Sequence, residues 1–527
     1  PDVTLQSLAR GVNVVGLNSQ PRDVIDLHAK MFAKHGVNVV RNFDALNDVN
    51  NLVDSANSIK KYGMKHEVTI TMMELPFGCE GAHDVAFYEK VLRNILDSGL
   101  PFDSLAFKDA SGTSNPRKVY ETVKMAREIL GQDAHIRFHS HETAGTGLAA
   151  YLAALDGGAD GIDLAMKPVS GGTGQPDIIS MWHALKGTEY DLGLDIKKVM
   201  ETEEIFKECM KDYPISPISL AVNPILIQAP LPGGATATTV NQLKDMGMLD
   251  KFPKLIANMK EVVERGGYAT SVTPVSQFYA QQSFLNAISE HPWDNANPGY
   301  AKMLLGYFGK TPCEPDPELV KWAEEKLNMQ PTTEKVVDIN EKDPEKGVEA
   351  AKKRLEAAGL PVTDENLFIA AACKDGNVDK GIDFLLGKGV VSVDKSANKA
   401  KAATSTSSNS DGCTVTVNGK KFAVKFNGDK AVVNGKEYTV DVKDGIEEVS
   451  ANAGSGEGTE VKAPMPGAVL RVLKSVGDSV EENEEILVIE AMKMETPIKS
   501  PVAGTINSIS VAQGDKVQTG QVMATVG

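Results

Sequence analysis

Short β-rich runs alternate with amphipathic stretches over the first 310 residues of this 527-residue chain. Six such runs are interpreted as buried strands: LQSLARG (5–11), VNVVRNFD (37–44), HEVTITMM (66–73), DSLAFKD (103–109), HIRFHSH (135–141) and GIDLAM (161–166). Four of them end in a polar residue or glycine. Stretches such as RDVIDLHAKMFAKHG and RKVYETVKMAREILG separate them and carry apolar residues at helical spacing. Regular alternation of strand and helix predicts a parallel sheet, either doubly wound or closed into a (β/α)₈ barrel.

A closed barrel needs eight βα units, and only six precede the change of pattern near residue 190. The chain also begins at Pro1 rather than at methionine. We therefore expect an α/β barrel whose first two units lie upstream of this sequence.

Shifts in composition divide the chain into six segments. A Ser/Thr/Ala-rich stretch, NKAKAATSTSSNSDG, and a second one, SANAGSGEG, have little capacity to bury apolar surface and are typical of linkers. The predicted segments are a barrel with the start of a helical extension (1–310), the helical extension (311–397), a linker (398–412), a small β-rich segment (413–445), a second linker (446–458) and a terminal module (459–527).

Charge and composition exclude several classes of protein. The formal net charge of −16 argues against an electrostatic surface for nucleic acid. No apolar run approaches the roughly 18 residues of a membrane-spanning helix, and no signal peptide opens the sequence. Five scattered cysteines without a CxxC pair indicate a reducing compartment, so we expect a cytoplasmic protein.

The terminal module contains an internal repeat. APMPGAVLRVLKSVGDSV (463–480) is matched by SPVAGTINSISVAQGDKV (500–517), with prolines, glycines and Gly-Asp turns in equivalent places. Two such halves predict a flattened β-sandwich with pseudo-twofold symmetry. Lys493 lies between the halves, flanked by Met492 and Met494, so we expect it at an exposed hairpin tip. An ordinary solvated lysine is the alternative.

Polar side chains follow the predicted barrel strands where the catalytic groups of such barrels lie. Arg10, Asp44 and Lys108 each end or follow one strand, and His139 and His141 belong to another. Two histidines at i and i+2 of a strand project to the same side, and imidazole suits zinc, cobalt or manganese. Histidines of the core or surface, a helix N-cap at Asp44 and a structural ion pair at Arg10 are the alternatives.

The sequence EAMKME within the repeat resembles the biotin-attachment domain of biotin-dependent carboxylases, which implies a biotinyl group on Lys493. A lipoyl domain has the same fold and is the alternative. Further motifs occur in the order found in carboxyltransferase domains: LARGVN, RNFDALND, AFKDASG, HSHETAG, PVSGGTGQPD, PLPGG and VTPVSQ. The resemblance covers residues 5–527 and is to the family that contains the carboxyltransferase-plus-biotin chain of two-subunit pyruvate carboxylases and the oxaloacetate decarboxylase α subunits.

The resemblance implies a role for each motif residue. Lys108 matches a carbamylated lysine that binds a divalent metal, and His139 and His141 match the two histidine ligands. Thr143 matches the threonine that moves a proton between the methyl group of the acceptor and N1 of biotin. Arg10 matches the arginine that pairs with the carboxylate of the acceptor, a bidentate contact that lysine does not reproduce.

The sequence departs from the family pattern in three places. An aspartate ligand on the first strand of the family, and a glutamine after it, would lie upstream of Pro1. Leu17 stands where the family commonly has a tyrosine, and Glu142 stands where aspartate is frequent. Asp44 is expected behind the metal ligands, as a partner of the ligands or of the substrate.

The resemblance implies carboxyl transfer between carboxybiotin and pyruvate or oxaloacetate. No nucleotide-binding lysine motif accompanies the glycine-rich stretches, so a separate biotin carboxylase subunit is the expected partner. A sodium-pumping membrane decarboxylase is the alternative partner, and a biotin carrier without a complete active site is the alternative outside enzymes. A biotin ligase and a homo-oligomeric assembly are also expected.

Overall fold

The computed structural model describes residues 3–213, 215, 217–375, 378–388, 458–491, 494–518 and 520–527, together with four strands between residues 412 and 439. Within these residues the chain forms a parallel αβ unit, a helical extension and two antiparallel β units.

Six parallel strands form one sheet in the order β1-β2-β3-β4-β5-β6. Their bounds are β1 Gln6–Ala9, β2 Val39–Phe43, β3 Lys65–Met72, β4 Ser104–Asp109, β5 His135–Ser140 and β6 Gly161–Ile162. The helices of this unit are α1 Arg22–Lys34, α2 Val53–Lys61, α3 Val85–Asp97, α4 Pro116–Leu130, α5 Gly147–Asp156 and α6 Ile178–Leu185. The sheet is a parallel half-barrel, which confirms the barrel prediction.

The strands follow the sequence pattern closely, with one exception. Residues 161–166 were predicted as a strand, but only Gly161–Ile162 pair with β5, opposite Arg137 and Phe138. Asp163 follows directly and is bonded to side chains of other strands rather than to the sheet backbone. The strand β6 therefore ends directly before Asp163, whose carboxylate contacts side chains of β2 and β5.

A buried apolar layer holds the helices against the sheet. Ile70, Leu105, Phe107 and Phe138 on the strands are inaccessible to solvent, as is Tyr151 on α5. Burying each such side chain contributes about 1.5–3 kcal/mol, so this layer fixes the strands relative to one another. The carboxyl ends of β4 and β5 are thereby held side by side.

The helical extension continues the chain beyond the half-barrel. Its helices are α7 Ile196–Met210, α8 Gly233–Asp245, α9 Phe252–Arg265, α10 Val275–Ile288, α11 Pro298–Leu304, α12 Pro317–Leu327, α13 Val336–Glu341, α14 Val348–Ala357, α15 Asp364–Ala372 and α16 Lys380–Leu385. A two-stranded hairpin, β7 Lys374–Asp375 and β8 Val378–Asp379, precedes α16. Val24 of α1 packs with Leu355 and Ala370, so the extension also covers the outer face of the first βα unit.

The last two units are antiparallel. Strands β9 Gly412–Val417, β10 Lys420–Asn427, β11 Lys430–Val433 and β12 Lys436–Thr439 form one four-stranded sheet. The terminal module comprises β13 Thr459–Lys462, β14 Gly467–Val472, β15 Ser479–Val480, β16 Glu485–Ala491, β17 Met494–Lys499, β18 Gly504–Ile509, β19 Lys516–Val517 and β20 Val522–Val526.

The terminal module has the two-sheet architecture that its repeat predicts. One four-stranded sheet has the order β13-β20-β18-β15 and the other β17-β16-β14-β19, so β14 and β18, from the two halves of the repeat, lie in different sheets. Strands β16 and β17 pair antiparallel, with Ala491 opposite Met494. Lys493, the predicted attachment site, lies outside the described residues.

Candidate functional site

Two neighbouring strand ends bring Lys108 and His139 together. Lys108 on β4 is opposite His139 on β5 in the parallel register. Because the carboxyl ends of parallel strands meet at one edge, both side chains belong to the end of the barrel where catalytic groups lie. The side chain of Lys108 is buried, and its Nζ lies 3.9 Å from the centroid of the Phe43 ring on β2.

The surroundings of Lys108 favour its uncharged amine. Burial, and then the positive charges of Arg41 and Arg10, lower the pKa of Lys108 to about 7. The charge of Asp163 acts in the opposite direction, but its carboxylate is paired with Arg41 and Arg137 and does not outweigh these effects. A large fraction of the lysine is therefore a free amine near neutral pH, which is the nucleophilic form.

His139 and His141 present their Nε2 atoms to each other at 3.3 Å. Nδ1 of His139 lies 2.9 Å from a carboxylate oxygen of Asp163, and Nδ1 of His141 lies 2.7 Å from the backbone oxygen of Thr173. Since both acceptors require a donor, each Nδ1 carries the proton and each Nε2 keeps a lone pair. Gln175 is placed to donate to Nε2 of His141 at 3.4 Å, in agreement with this tautomer.

Both histidines are held neutral. Burial lowers the pKa of His139 to about 3, against the opposing effect of its hydrogen bond to Asp163. Burial also lowers the pKa of His141. Two neutral imidazoles with facing lone pairs form a donor set that suits a divalent transition metal.

The nitrogen atoms of His139 and His141 show whether a metal ion fits between the two side chains. Two convergent Nε2 lone pairs, each fixed by a hydrogen bond at Nδ1, match the way histidine ligands are oriented in metal sites. In the part of the chain that the structure describes, no group of three His, Cys, Asp or Glu side chains is arranged to hold a metal. Among the described residues, the pair therefore fits two ligand positions.

Thr143 is buried beside the histidines. It is only 1% exposed, and its Oγ1 has no hydrogen-bond partner among the described residues. Its backbone oxygen accepts from the amide of Asn223, which fixes the loop after β5. A buried hydroxyl without a partner carries a desolvation cost of about 1–3 kcal/mol, which a bound ligand at the hydroxyl would offset.

Arg10 follows β1 and is held by its own turn. Its Nη1 donates to the backbone oxygens of Val15 (2.7 Å) and Gly16 (3.0 Å). No carboxylate among the described residues forms an ion pair with it, which disfavours the structural ion pair considered from the sequence. The guanidinium therefore has donors left for an anionic ligand, and its effect on the pKa of Lys108 places it near that lysine.

Asp44 organises the loop after β2. Its carboxylate accepts hydrogen bonds from the amides of Leu46 and Asp48 and from the side chain of Asn51. The helix N-cap considered from the sequence is not found at Asp44, because Asp48 caps the short 3-10 helix that follows this loop. Burial, and then the charge of Asp48, raise the pKa of Asp44 to about 7. A direct role beside the ligands stays a prediction.

The sequence analysis did not identify the charged cluster beneath the histidines. Asp163 bonds to His139, Arg41 and Arg137, and both arginines also bond to Glu67. In this cluster Arg41 lies on β2, Glu67 on β3 and Arg137 on β5. Asp163 follows directly after β6. The sequence did contain a signal for this cluster, namely charged residues inside otherwise apolar strand segments. Charged side chains are rarely buried unless they are paired.

A second feature missed from the sequence is the loop after β4. The carboxylate of Asp109 accepts hydrogen bonds from the amides of Ser111, Gly112 and Ser114. Gly112 has φ of +65°, and a Cβ there would lie 2.4 Å from the backbone oxygen of His141. The glycine thus permits the close approach of the β4 and β5 loops that assembles the site.

Three family models match the chain in succession. The model described as "HMGL-like" matches residues 30–206, "Conserved carboxylase domain" matches 226–444, and "Biotin-requiring enzyme" matches 459–526. The first covers most of the half-barrel, the second begins within the helical extension, and the third coincides with the terminal β-sandwich. No helix among the described residues is long and apolar enough to cross a membrane.

Two relatives match nearly the whole chain. The pyruvate carboxylase subunit designated B, from Methanocaldococcus jannaschii, is 31% identical over 493 residues, covering 93% of this chain and 81% of that protein. The 2-oxoglutarate carboxylase large subunit of Hydrogenobacter thermophilus is 29% identical, covering 94% of this chain and 80% of that protein.

A solved structure shows the same fold. The complete multifunctional pyruvate carboxylase from Rhizobium etli superposes with a TM-score of 0.62 at 22% identity, covering 100% of this chain. The chain spans 50% of that longer protein. From its family models, its relatives and its fold, this chain belongs to the family of biotin-dependent carboxyltransferases that includes the Methanocaldococcus jannaschii pyruvate carboxylase subunit.

Proposed function

We propose that this chain transfers a carboxyl group between biotin carried on Lys493 and the methyl carbon of pyruvate, giving oxaloacetate. The proposal is supported by the placement of Lys108, His139 and His141 at one end of the barrel. The buried hydroxyl of Thr143, two residues after His141, has no partner among the described residues. The name of the Methanocaldococcus jannaschii relative supports pyruvate as the acceptor.

A divalent metal such as zinc, manganese or cobalt would be held by Nε2 of His139, Nε2 of His141 and a carbamate on Lys108. The carbamate forms when the free amine attacks CO₂, making a C–N bond and releasing one proton. The lowered pKa of Lys108 supports this step, because only the unprotonated amine reacts. The bound metal would act as a Lewis acid that polarises the keto oxygen of the acceptor.

Arg10 orients the acceptor. The donors that it does not use on Val15 and Gly16 pair with the carboxylate of pyruvate in a charge-assisted contact. The two backbone oxygens hold the guanidinium in place before the substrate arrives, so little side-chain entropy is lost on binding. Lysine at this position would offer one point charge instead of a fixed fork.

Thr143 moves the proton. Its hydroxyl gives a proton to N1 of biotin as CO₂ departs, and it receives a proton from the methyl carbon of pyruvate. The resulting enolate carbon forms the new C–C bond to CO₂, so that protons and carboxyl groups balance between the two substrates. A buried hydroxyl with no partner among the described residues is free to make both contacts.

The partner of this chain is a separate biotin carboxylase subunit that charges the biotin with CO₂. Two relatives are named as single subunits of a pyruvate carboxylase, which supports such a division of labour. A biotin ligase attaches the cofactor to Lys493, and the assembly works in the cytoplasm. Partnership with a sodium-pumping decarboxylase is the second candidate, raised by the family resemblance of the motif residues.

The experiment is carboxyl exchange with the biotinylated full chain alone. Isotopically labelled pyruvate is incubated with unlabelled oxaloacetate, and label is expected in oxaloacetate without ATP. Replacing pyruvate by 2-oxoglutarate tests the acceptor suggested by the Hydrogenobacter relative. Absence of exchange with either acid would contradict the proposal.

Adding the biotin carboxylase subunit distinguishes the two partnerships. Oxaloacetate formation that depends on ATP and bicarbonate supports the carboxylase assembly. If oxaloacetate is formed only in exchange and never from bicarbonate with any such subunit, the decarboxylase assembly is favoured instead.

A further inference from the structure

We propose that Asp163 is a positioning residue for His139: it fixes the proton of that histidine on Nδ1 and aims Nε2 at His141. The inference rests on the metal site of the proposed function and adds a residue that the sequence motifs did not single out. It depends on the contacts of Asp163 with three side chains.

The first contact sets the tautomer. A carboxylate oxygen of Asp163 lies 2.9 Å from Nδ1 of His139. A carboxylate accepts hydrogen bonds only, so Nδ1 must carry the proton and Nε2 must carry the lone pair. The backbone oxygen of Thr173 fixes the proton of His141 on Nδ1 in the same way. Of these two acceptors, the carboxylate of Asp163 belongs to a side chain and can be changed by mutation, whereas the backbone oxygen of Thr173 cannot.

The second set of contacts holds the carboxylate rigid. Nη1 of Arg41 donates to the same oxygen of Asp163 that faces His139, and Nη1 of Arg137 donates to the other oxygen at 3.1 Å. Both arginines are in turn bonded to Glu67, which is 2% exposed. Asp163 therefore has partners on both oxygens, and its carboxylate has little freedom to rotate away from the imidazole.

Two arginines compensate the charge of Asp163. Nη1 of Arg41 and Nη1 of Arg137 each form an ion pair with its carboxylate. A carboxylate acceptor at Nδ1 makes the bound imidazole a stronger metal ligand. The cluster thus links three strands and the end of a fourth to one ligand.

The chain offers a matched control. Asp160 precedes the two-residue strand β6, as Asp163 follows it, and Asp160 also pairs with an arginine, Arg127. Its carboxylate also contacts the amide of Ile136 and, at 4.0 Å, Nδ1 of His135, both at the end of β5 away from the histidine pair. Asp163→Asn and Asp160→Asn therefore remove the same charge from the two ends of one strand.

The test is metal binding by the full chain. Zn²⁺ affinity is measured by competition with a chromophoric chelator, and Co²⁺ is used for visible absorption spectra. Orienting partners of ligands typically affect metal affinity by about 10–100-fold. Asp163→Asn is expected to weaken Zn²⁺ binding by roughly 10-fold or more and to alter the Co²⁺ spectrum, whereas Asp160→Asn leaves both unchanged.

A second measurement uses no metal. Nitrogen-15 NMR of histidine-labelled protein reports which ring nitrogen is protonated, and a His139→Gln variant assigns the signal among the nine histidines. The metal-free wild-type protein is expected to carry the proton of His139 on Nδ1, and Asp163→Asn is expected to shift it toward Nε2. Asp160→Asn should leave the signal in place.

The outcomes separate the inference from the proposed function. If the wild-type chain binds no metal, the metal part of the proposed function fails, while the tautomer still decides the inference. If wild-type His139 carries its proton on Nε2, the inference is wrong even when Asp163→Asn does not fold. Unchanged affinity and tautomer in a folded Asp163→Asn protein would also overturn it.

Discussion

Lys108 illustrates how surroundings change the chemistry of one residue. A lysine on the surface is an ammonium ion at neutral pH, whereas Lys108 lies over an aromatic ring, is buried and has two arginines nearby. Burial and the two arginines lower the pKa of Lys108, whereas the ring and the charge of Asp163 favour the ammonium. The lowering effects are larger, so the amine and thereby the reaction with CO₂ are favoured. Thr143 is a parallel case, because burial without a partner leaves its hydroxyl available to a substrate.

Replacing Thr143 by alanine should abolish proton transfer without disrupting the fold. The hydroxyl makes no hydrogen bond within the described residues, so its loss removes no contact of the protein itself. Exchange of label between pyruvate and oxaloacetate is expected to fall by about 10²–10⁴-fold, the usual contribution of a positioned proton-transfer group.

Thr122→Ala is the matched control for this prediction. Thr122 is also a fully buried threonine without a partner for its hydroxyl, but it belongs to α4. Its replacement should leave the exchange rate unchanged. Equal losses in the two variants would assign Thr143 a structural role, and Thr143→Ser should restore much of the rate.

His28 should make the protein sensitive to mild acid. It is buried in α1 between the rings of Phe32 and Phe368, and its Nε2 lacks a partner among the described residues. Burial lowers the pKa of His28 to about 3 in the folded protein, against an ordinary value of 6.5. The unfolded chain therefore binds the proton first, and the stability that neutral His28 provides above pH 6.5 is lost as the pH falls toward 3.

The measurement is the free energy of unfolding at pH 7 and pH 5 for the wild type and for His28→Leu. The drop between the two pH values should be smaller in the variant by about 2 kcal/mol. Any packing effect of leucine is the same at both pH values and cancels. His291→Leu, at an exposed histidine, is the control, and an equal drop in wild type and His28→Leu would contradict the prediction.

At the scale of the element, the loop between β4 and α4 determines how closely the strand ends approach. Asp109 bonds to three backbone amides of the loop and holds it closed, while Gly112 lets it lie against the backbone of His141. The strands themselves place Lys108 and His139 in register, but the loop sets the position of His141 and Thr143. Strand and loop therefore make separate contributions to the site.

Gly112→Ala should damage both stability and activity. The new Cβ would lie 2.4 Å from the backbone oxygen of His141, which forces the two loops apart. Gly131, at the end of α4, also has a positive φ (+79°) but has no atom within 4 Å of an added Cβ. Gly131→Ala should cost about 1–3 kcal/mol for the positive φ alone.

Chemical denaturation and metal titration of the two variants test this prediction. Gly112→Ala should lose more stability than Gly131→Ala and should also bind Zn²⁺ more weakly, because His141 moves. Equal stability losses with unchanged Zn²⁺ affinity would show that the loop does not position the site.

At the scale of the whole molecule, the barrel and the terminal β-sandwich provide separate halves of one activity. The family models place the carboxyltransferase and the biotin-attachment domain in different parts of the chain. The linkers predicted from the sequence would keep the carried group at an effective concentration on the order of millimolar near the barrel. The separation predicts that transfer can be lost while attachment is kept, whereas loss of attachment also abolishes transfer.

Lys493→Arg should remove biotin and transfer together, whereas His139→Gln should remove transfer alone. Intact mass and streptavidin binding report attachment after co-expression with a biotin ligase, and label exchange reports transfer. Mixing the two variants should restore some exchange if one carrier reaches the barrel of another chain. Biotin on the Lys493→Arg protein would refute the assignment of the attachment site.

The amino-acid sequence was enough to establish the parallel strands, the two-sheet terminal module and the family, because periodicity and short motifs are local properties of the chain. It also singled out Lys108, His139 and Thr143, which stand in those motifs. The folded structure was needed to bring Asp163 to His139, the backbone oxygen of Thr173 to His141, and Gly112 against the same histidine. These contacts join residues from different strands and loops, so they depend on how the sheet curves and packs. A pattern within a single segment of the sequence does not reveal them.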